Sequence, residues 1–219
     1  MSKLEFVLTS DGSGTLYAPD LKEHYHSING AFSESMHVFI KNGYHAVPSD
    51  PIKVLEVGFG TGLNAYLTLI ESLKEKRKII YHGLEWFPLS GDILNLLKYT
   101  VPADTAGRWF QIIHKTEWER EVQLNESFIL KKIQEDLLKI NFDTQYNLIY
   151  FDAFSPDVQP DLWTKDIFQK LFQSTVQGGI LTTYCAKGAV RRILKDVGFN
   201  VERLPGAPGK REMLRAVKS

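Results

Sequence analysis

The sequence predicts an α/β fold with one mostly parallel sheet of seven strands, six parallel and one antiparallel, and helices on both faces. Three observations predict it. Short apolar runs alternate along the chain with segments of helical periodicity. The apolar run 52–57 breaks into glycines at alternate positions, and a helix-compatible segment, 63–73, follows. Near the C-terminus, 199–204 and 212–217 flank a Gly/Pro loop and are expected to pair antiparallel.

Composition sets outer limits on function. The chain has 219 residues, enough for one large α/β domain. Its 26 basic and 26 acidic residues cancel, so any contact with RNA has to come from a local patch. The single cysteine, Cys185, excludes an intrachain disulfide, which fits a cytoplasmic location. No run of 18 apolar residues occurs, so we expect no membrane span.

We divide the chain into an N-terminal extension, 1–50, and a main domain, 51–219. The extension is expected to form a hairpin around 11–14 and a helix capped by Ser33, and to lie across the mouth of the site. Tyr25, Glu34 and the two histidines between 24 and 26 could be mistaken for a metal cluster. Their spacing matches no zinc signature, so we predict no metal.

The glycine loop after the run 52–57 is the main ligand signal. Glycines there allow a tight turn and let a ligand approach bare backbone. A dinucleotide fingerprint would need glycine at position 63, which is leucine. The acidic residue before the loop suits a cationic ligand better than a pyrophosphate, and the stretch resembles motif I of the class I methyltransferases, which bind S-adenosylmethionine. The alternative is a plain tight turn. The cofactor-binding residues predicted here are Glu56, Gly58, Phe59, Gly60, Gly62 and Asn64.

Two further acids follow predicted strands. Glu85 ends the strand 78–84, where an acid accepts hydrogen bonds from ribose hydroxyls, and the alternative is a solvated strand end. Trp86 beside it can flank an adenine. Asp136 follows the predicted strand 128–133 and is expected to bond the adenine amino group, with its position in the fold as the only support.

Other segments complete the predicted alternation. We expect helices over 88–99, 165–172 and 188–197 from their periodicity, and strands over 109–114, 121–124, 146–151 and 180–184. Asp152 directly follows the strand 146–151. Because ligands of open α/β sheets bind beyond the carboxyl ends of the strands, Asp152 is expected beside the glycine loop.

Several stretches together resemble the methyltransferase half of the MnmC family, and the resemblance covers most of the chain. They are Glu34 in its serine-flanked setting, the loop 54–64, Glu85-Trp86-Phe87-Pro88, Asp152-Ala153-Phe154-Ser155-Pro156, Pro160-Asp161-Leu162-Trp163, Tyr184-Cys185-Ala186, Gly188-Ala189-Val190-Arg191-Arg192 and Gly209-Lys210-Arg211-Glu212-Met213. The run from Asp152 to Trp163 and the Lys-Arg-Glu-Met end are the specific parts.

The resemblance implies a Rossmann-like class I fold and methyl transfer from S-adenosylmethionine to the 5-aminomethyl group of the wobble uridine of tRNA. In bifunctional MnmC proteins a flavin-dependent oxidase half follows. Since this chain ends at Ser219, we expect that activity to be absent and expect a separate oxidase or aminomethyl-forming enzyme as a partner.

For the reaction, Asp152 either orients the amine and takes its proton or holds the cationic end of the cofactor. Phe154, predicted as catalytic, and Trp163 either pack against the flat base or belong to the core. The predicted substrate-binding residues are Tyr25, Glu34, Pro156, Trp163, Lys210 and Arg211. Arg191, Arg192, Lys210 and Arg211 form the best local basic set, which contacts tRNA phosphates or is ordinary surface charge.

Two other functions remain open at this stage. An aminopropyltransferase of the spermidine-synthase kind uses the same sheet, a related cofactor and an amine, but favours more acids around its substrate. A non-catalytic RNA-binding module would not need the intact glycines, Glu85 and Asp152.

Overall fold

The computed structural model describes residues 3–219 as two sheets with flanking helices. The strands are β1 (Glu5–Leu8), β2 (Gly14–Ala18), β3 (Glu23–His24), β4 (Ile52–Val57), β5 (Ile79–Leu84), β6 (Glu121–Asn125), β7 (Phe128–Ile133), β8 (Tyr146–Phe151), β9 (Thr175–Thr183), β10 (Phe199–Pro205) and β11 (Glu212–Lys218). The α-helices are α1 (Ala31–Ser35), α2 (Leu63–Glu75), α3 (Gly91–Leu94), α4 (Arg108–Lys115), α5 (Lys165–Gln173) and α6 (Gly188–Asp196). A π-helical segment, Met36–Lys41, continues α1, and short 3₁₀ turns occur at Tyr44–Ala46 and Pro160–Trp163. Within the described residues, no helix is both long and apolar enough to cross a membrane.

The large sheet has the strand order β10-β11-β9-β8-β4-β5-β7-β6. Strands β4, β5, β7, β8 and β9 run parallel, and β11 is antiparallel to both β9 and β10. The predicted α/β fold with a mostly parallel sheet is therefore confirmed: six strands run in one direction, as predicted, but two, β6 and β11, are opposed where one was expected. The sheet has eight strands rather than seven because β6 folds back on β7 as an antiparallel edge.

Strand β4 is mostly apolar because both faces of the sheet are covered. Ile52 and Val54 face a core that contains α2 and the N-terminal extension, whereas Leu55 and Val57 face a second core with α5 and α6. This two-sided burial explains why apolar residues stand on both faces of the strand. The position of β4 between β8 and β5 places its carboxyl end in the middle of the sheet edge, where the site lies.

The N-terminal extension forms its own three-stranded sheet of β1, β2 and β3, with β1 and β2 paired as the predicted hairpin. The predicted helix begins at Ala31 instead of after Ser33. The hairpin turn caps it: the Ser13 hydroxyl accepts the N–H of Ala31 at 3.1 Å, and an Asp11 carboxylate oxygen accepts the N–H of Ser33 at 2.8 Å. The helix therefore begins where side chains of the hairpin turn accept its otherwise unpaired N–H groups.

The prediction of a strand over 109–114 is wrong, because this segment is α4. Its buried residues Phe110 and Ile113 are spaced as in a helix. The Asp104 carboxylate accepts the N–H groups of Arg108 and Trp109 at 2.9 and 2.8 Å and thereby caps the first turn.

Two other predicted elements differ in length. The predicted helix 88–99 is reduced to the single turn α3. Strand β9 begins at Thr175, before the predicted 180, since Thr175 already pairs with Tyr146 of β8.

Candidate functional site

The glycine loop between β4 and α2 has a backbone conformation that residues with side chains would adopt only with strain. Gly58, Gly60 and Gly62 have φ angles of 84°, 48° and 71°, in the left-handed region that favours glycine. A Cβ on Gly58 would lie 2.6 Å from the Asp152 carbonyl oxygen. The Asp152 N–H donates to the carbonyl of Val57 at 2.9 Å. The predicted placement of Asp152 beside the loop is thus confirmed.

A cavity of about 1150 Å³ lies at the carboxyl ends of β4, β5, β7 and β8. We call it the acid-lined cavity, because its walls carry eight carboxyl groups and two lysines. The acids are Asp20, Glu23, Glu34, Glu85, Asp92, Glu135, Asp136 and Asp152, and the lysines are Lys3 and Lys210. Such a cavity favours a cationic ligand over an anionic one.

Most of the predicted site residues line this cavity. The cofactor residues that line it are Gly58, Phe59, Gly60, Asn64, Glu85, Trp86, Asp136 and Asp152, and the other predicted residues that do so are Tyr25, Glu34, Phe154 and Lys210. Five do not line it, namely Glu56, Gly62, Pro156, Trp163 and Arg211.

Asn64 joins two of the acids at the start of α2. Its Nδ2 group donates to Glu56 Oε1 at 2.9 Å and to Asp152 Oδ2 at 2.8 Å. The other Glu56 oxygen accepts the hydroxyl of Tyr81 at 2.8 Å. Glu56 therefore lies behind the cavity wall and acts on the cavity through Asn64.

Burial changes the proton affinity of these acids. It raises the pKa of Glu56 to about 8. Burial, and then the nearby charges of Glu34 and Glu56, raise the pKa of Asp152 well above its usual range. An arriving cation would favour the ionised form of both groups.

Glu85 holds the loop from the end of β5. Its two carboxylate oxygens accept the N–H of Gly60 at 3.0 Å and the N–H of Phe87 at 2.9 Å. Burial raises its pKa. Each oxygen has a second lone pair, so the carboxylate can still accept hydrogen bonds from a ligand in the cavity.

Trp86 and Asp136 lie at the ends of neighbouring strands on the same cavity wall. Trp86 is 48% exposed and stacks on Phe87 with ring centroids 4.6 Å apart. Asp136 is buried, and one of its oxygens accepts the N–H of Leu138 at 2.9 Å. The pair offers an aromatic face and a carboxylate to a flat heterocycle.

The N-terminal extension covers the loop through Tyr25 and His26. A Cβ on Gly60 would lie 3.2 Å from the Tyr25 ring, so that ring rests directly on the loop. His26 is hydrogen-bonded to Thr15 at 3.1 Å and to Thr61 of the loop at 3.2 Å. Burial lowers the pKa of His26 to about 4, which leaves it neutral. This link was not predicted, because no sequence motif marks a histidine that joins two threonines.

Lys210 is held at the cavity wall by Glu34. The Nζ atom lies 2.5 Å from Glu34 Oε1 and 4.1 Å from the centroid of the Tyr184 ring. The other Glu34 oxygen accepts the N–H of Ser27 at 2.8 Å. The members of the predicted basic set have different surroundings: Lys210 is paired, whereas Arg211 lies exposed just before β11, and Arg191 and Arg192 belong to α6.

The two aromatic residues of the Asp152 loop have different surroundings. Phe154 lines the cavity and meets Tyr25 edge to face, with ring centroids 5.0 Å apart. Trp163 is buried against Phe151, and its indole N–H donates to the Phe154 carbonyl at 2.8 Å. This position of Trp163 favours the core-packing alternative, with an added role in holding the loop.

One group among the described residues has the geometry of a metal site, and it lies outside this cavity. The ligand atoms of His45, Glu71 and Glu75 lie within 4.8 Å of one another. Lys74 already pairs with Glu71 at 2.5 Å and Arg77 with Glu75 at 3.8 Å, so lysine and arginine occupy the space around these carboxylates.

Comparison with known proteins gives a consistent result. The model of a family described as S-adenosyl-L-methionine-dependent methyltransferase matches residues 103–219. A tRNA 5-methylaminomethyl-2-thiouridine biosynthesis bifunctional protein MnmC from Delftia acidovorans is 30% identical over 93% of this chain and 34% of that protein. A protein of the same name from Pseudomonas syringae is 29% identical over 94% of this chain and 33% of that protein. The chain thus spans about a third of the length of these relatives.

Solved structures extend the comparison. The crystal structure of MNMC2 from Aquifex aeolicus matches with a TM-score of 0.84 and 25% identity over 99% of this chain and 70% of that one. Spermidine synthase from Thermotoga maritima matches with a TM-score of 0.54 and 15% identity over 99% of this chain and 73% of that one, a likeness of fold alone.

Proposed function

The chain belongs to the family of S-adenosyl-L-methionine-dependent methyltransferases, and we propose that it methylates the amine of a 5-aminomethyl uridine at the wobble position of tRNA. The observation that carries the proposal is the acid-lined cavity beside the glycine loop. It suits a sulfonium cofactor and an amine, both of which carry positive charge in water. The names of the relatives, which refer to tRNA 5-methylaminomethyl-2-thiouridine, support the choice of acceptor.

The residues present fit the cofactor. Gly58 and Gly60 line the cavity without side chains, so a ligand can approach bare backbone there. We assign Glu85 to the ribose hydroxyls, and Trp86 with Asp136 to the adenine. Asn64 and Asp152 then lie nearest the charged end of the cofactor, with Glu56 behind them. When bound, the cofactor supplies a methyl group on positively charged sulfur.

Asp152 is the residue we assign to the amine. The amine must be neutral to attack, so a group has to accept its proton before or during methyl transfer. Once the cationic cofactor has favoured its ionised form, a carboxylate whose pKa is raised by burial and by neighbouring acids is a stronger base than one with an ordinary pKa. Phe154, which lines the cavity beside it, would then pack against the uracil ring.

The N-terminal extension, 1–50, is assigned to the cover of this site, and 51–219 to the methyltransferase domain. Tyr25 and Glu34 of the extension line the cavity and would contact the acceptor. Pro156 and Trp163 support the loop that carries Asp152, and Arg191, Arg192 and Arg211 are assigned to tRNA phosphates. A tRNA substrate would place the protein in the cytoplasm, and another enzyme, an oxidase or an aminomethyl-forming enzyme, must first make the amine.

The test uses tRNA that carries 5-aminomethyl-2-thiouridine, tritium-labelled S-adenosylmethionine and nucleoside analysis by mass spectrometry. We expect one methyl group on the aminomethyl nitrogen and no label on the same tRNA with an unmodified wobble uridine. A parallel reaction offers putrescine and decarboxylated S-adenosylmethionine. Product in that reaction alone, or no methylation of the modified tRNA, would refute the proposed function.

A further inference from the structure

A second cavity, of about 620 Å³, lies against the other side of the glycine loop. It shares Phe59, Gly60 and Leu89 with the acid-lined cavity, and its remaining walls come from residues 91–100, from α4 with the residues around it, and from β7. Three lysines line it, Lys98, Lys115 and Lys132, and none of its described lining residues is acidic. We call it the lysine-lined cavity.

Lys132 is the unusual member of this group. It is 2% exposed, and among residues 3–219 no carboxylate oxygen lies within 4 Å of its Nζ atom. Lysine is rarely buried to this extent unless it is paired, because a charge without a partner is unfavourable away from water. Burial accordingly lowers the pKa of Lys132 to about 8, so the side chain still carries its charge near neutral pH.

The hydrogen bonds of Lys132 are also incomplete. Its ammonium group has three donors, of which one reaches a protein acceptor, the His114 carbonyl at 3.2 Å, while the Trp118 ring lies 5.0 Å away. Lys170 shows how this chain satisfies a lysine without a carboxylate, since it donates to three carbonyls at 2.8 to 3.3 Å. Compared with Lys170, Lys132 has two donors left for a ligand.

The other lining residues suit an anion with an organic part. Lys98 and Lys115 are exposed, and neither has a carboxylate within 4 Å in the described part of the chain. Gln111 and Thr100 add polar groups, and Trp118 adds an aromatic surface. We propose that the lysine-lined cavity binds a phosphate group, with Lys132 as its buried cation and Lys98 and Lys115 at its exposed side. The phosphate belongs either to a free nucleotide or to an RNA backbone, and the site does not depend on the proposed acceptor.

The experiment uses the protein saturated with S-adenosylmethionine, so that the acid-lined cavity is occupied. The probes are uridine 5′-monophosphate, followed by calorimetry, and a fluorescent RNA stem-loop, followed by anisotropy at several salt concentrations. The variants are Lys132→Met, Lys98→Gln and Lys115→Gln. Lys131→Met is the matched control, because it removes the same charge from the adjacent position of β7, which faces the opposite side of the sheet.

If the ligand is a free nucleotide, uridine 5′-monophosphate binds the wild type and Lys131→Met alike and binds Lys132→Met about tenfold more weakly or worse. If it is an RNA backbone, only the stem-loop binds. Each of the three variants then lowers the slope of log affinity against log salt by about 0.7 to 0.9, and the control does not.

Lys98→Gln and Lys115→Gln alter exposed side chains, so they keep the test valid even if Lys132→Met folds poorly. The proposal is overturned if neither probe binds the wild type, if the exposed variants bind both probes as the wild type does, or if Lys131→Met loses as much affinity as Lys132→Met.

Discussion

The two cavities on either side of the glycine loop have opposite charge, although they share Phe59, Gly60 and Leu89 in their walls. One is lined by eight carboxyl groups and two lysines, and the other by three lysines and no described acid. The whole chain has 26 basic and 26 acidic residues. A net charge of zero thus conceals two local fields, each suited to a different class of ligand.

The largest effect is expected from removing the charge of Asp152, the acid of this cavity that we assign to the amine. Asp152→Asn keeps the shape of the side chain and removes its charge. If Asp152 orients the amine or takes its proton, turnover should fall by about 10²- to 10⁴-fold while affinity for the cofactor changes little. Single-turnover methylation of the aminomethyl tRNA, with calorimetric titration of S-adenosylmethionine in parallel, measures both quantities.

Asp157→Asn is the matched control for this variant. Asp157 lies in the same loop, is exposed, pairs with Lys187 and does not line the cavity. If Asp152→Asn loses cofactor affinity but keeps its turnover at saturation, Asp152 serves the cofactor. Wild-type values in both assays would make it a structural strand end.

A smaller effect, on cofactor affinity, is expected at Glu85, which lines the cavity and accepts the N–H of Gly60 in the glycine loop. Glu85→Gln leaves one acceptor oxygen where the carboxylate has two, so it cannot hold Gly60, Phe87 and a ribose equally well. We expect the cofactor to bind about 1–3 kcal/mol more weakly, measured by calorimetry.

Asp92→Asn controls for the loss of one negative charge, since Asp92 lines the same cavity but is exposed. Thermal melting of both variants without cofactor separates loss of binding from loss of stability. Equal dissociation constants for Glu85→Gln and the wild type would contradict the ribose assignment.

The acid-lined cavity was largely predictable from the sequence, and the lysine-lined cavity was not. Glu85, Asp136 and Asp152 each follow a strand, and parallel strands bring their carboxyl ends to one edge of the sheet. Lys98, Lys115 and Lys132 come from an irregular segment, the end of a helix and the interior of a strand. No local sequence pattern connects these three lysines. In addition, the segment 109–114 was predicted as a strand, whereas it is α4, the helix that places Lys115 near the other two lysines.

Side-chain contacts between different elements of the fold could not be predicted from local sequence patterns either. Lys210 and Arg211 are adjacent and both basic, yet the fold places Lys210 against Glu34 of the extension and leaves Arg211 exposed. Trp163 lies in a loop that carries site residues, but the apolar side chains Phe151 and Phe168 surround it. The partner that decides the position of Lys210 is distant in sequence, and the partners of Trp163 lie in a strand and a helix outside its own loop.

The smallest expected effect is the release of protons when the cofactor binds. This release tests whether the cationic end of the cofactor lies near Asn64. Burial raises the pKa of Glu56 to about 8, above its ordinary 4.5, so the free protein holds this proton at pH 7. Between pH 4.5 and 8 the folded state therefore binds more protons than the unfolded state, and this group's contribution to stability falls as pH rises through that window.

A cation near Glu56 favours its carboxylate form, so cofactor binding should release up to about one proton from this group. Calorimetry at pH 7 in phosphate and in Tris measures the release from the difference in apparent enthalpy. Glu56→Gln, whose amide oxygen can still accept from Asn64 while its amide NH₂ donates to the Tyr81 hydroxyl oxygen, should release less. Equal release from Glu56→Gln and the wild type would assign the proton to another group, and no release from either protein would place the positive charge of the cofactor away from Glu56, Asn64 and Asp152.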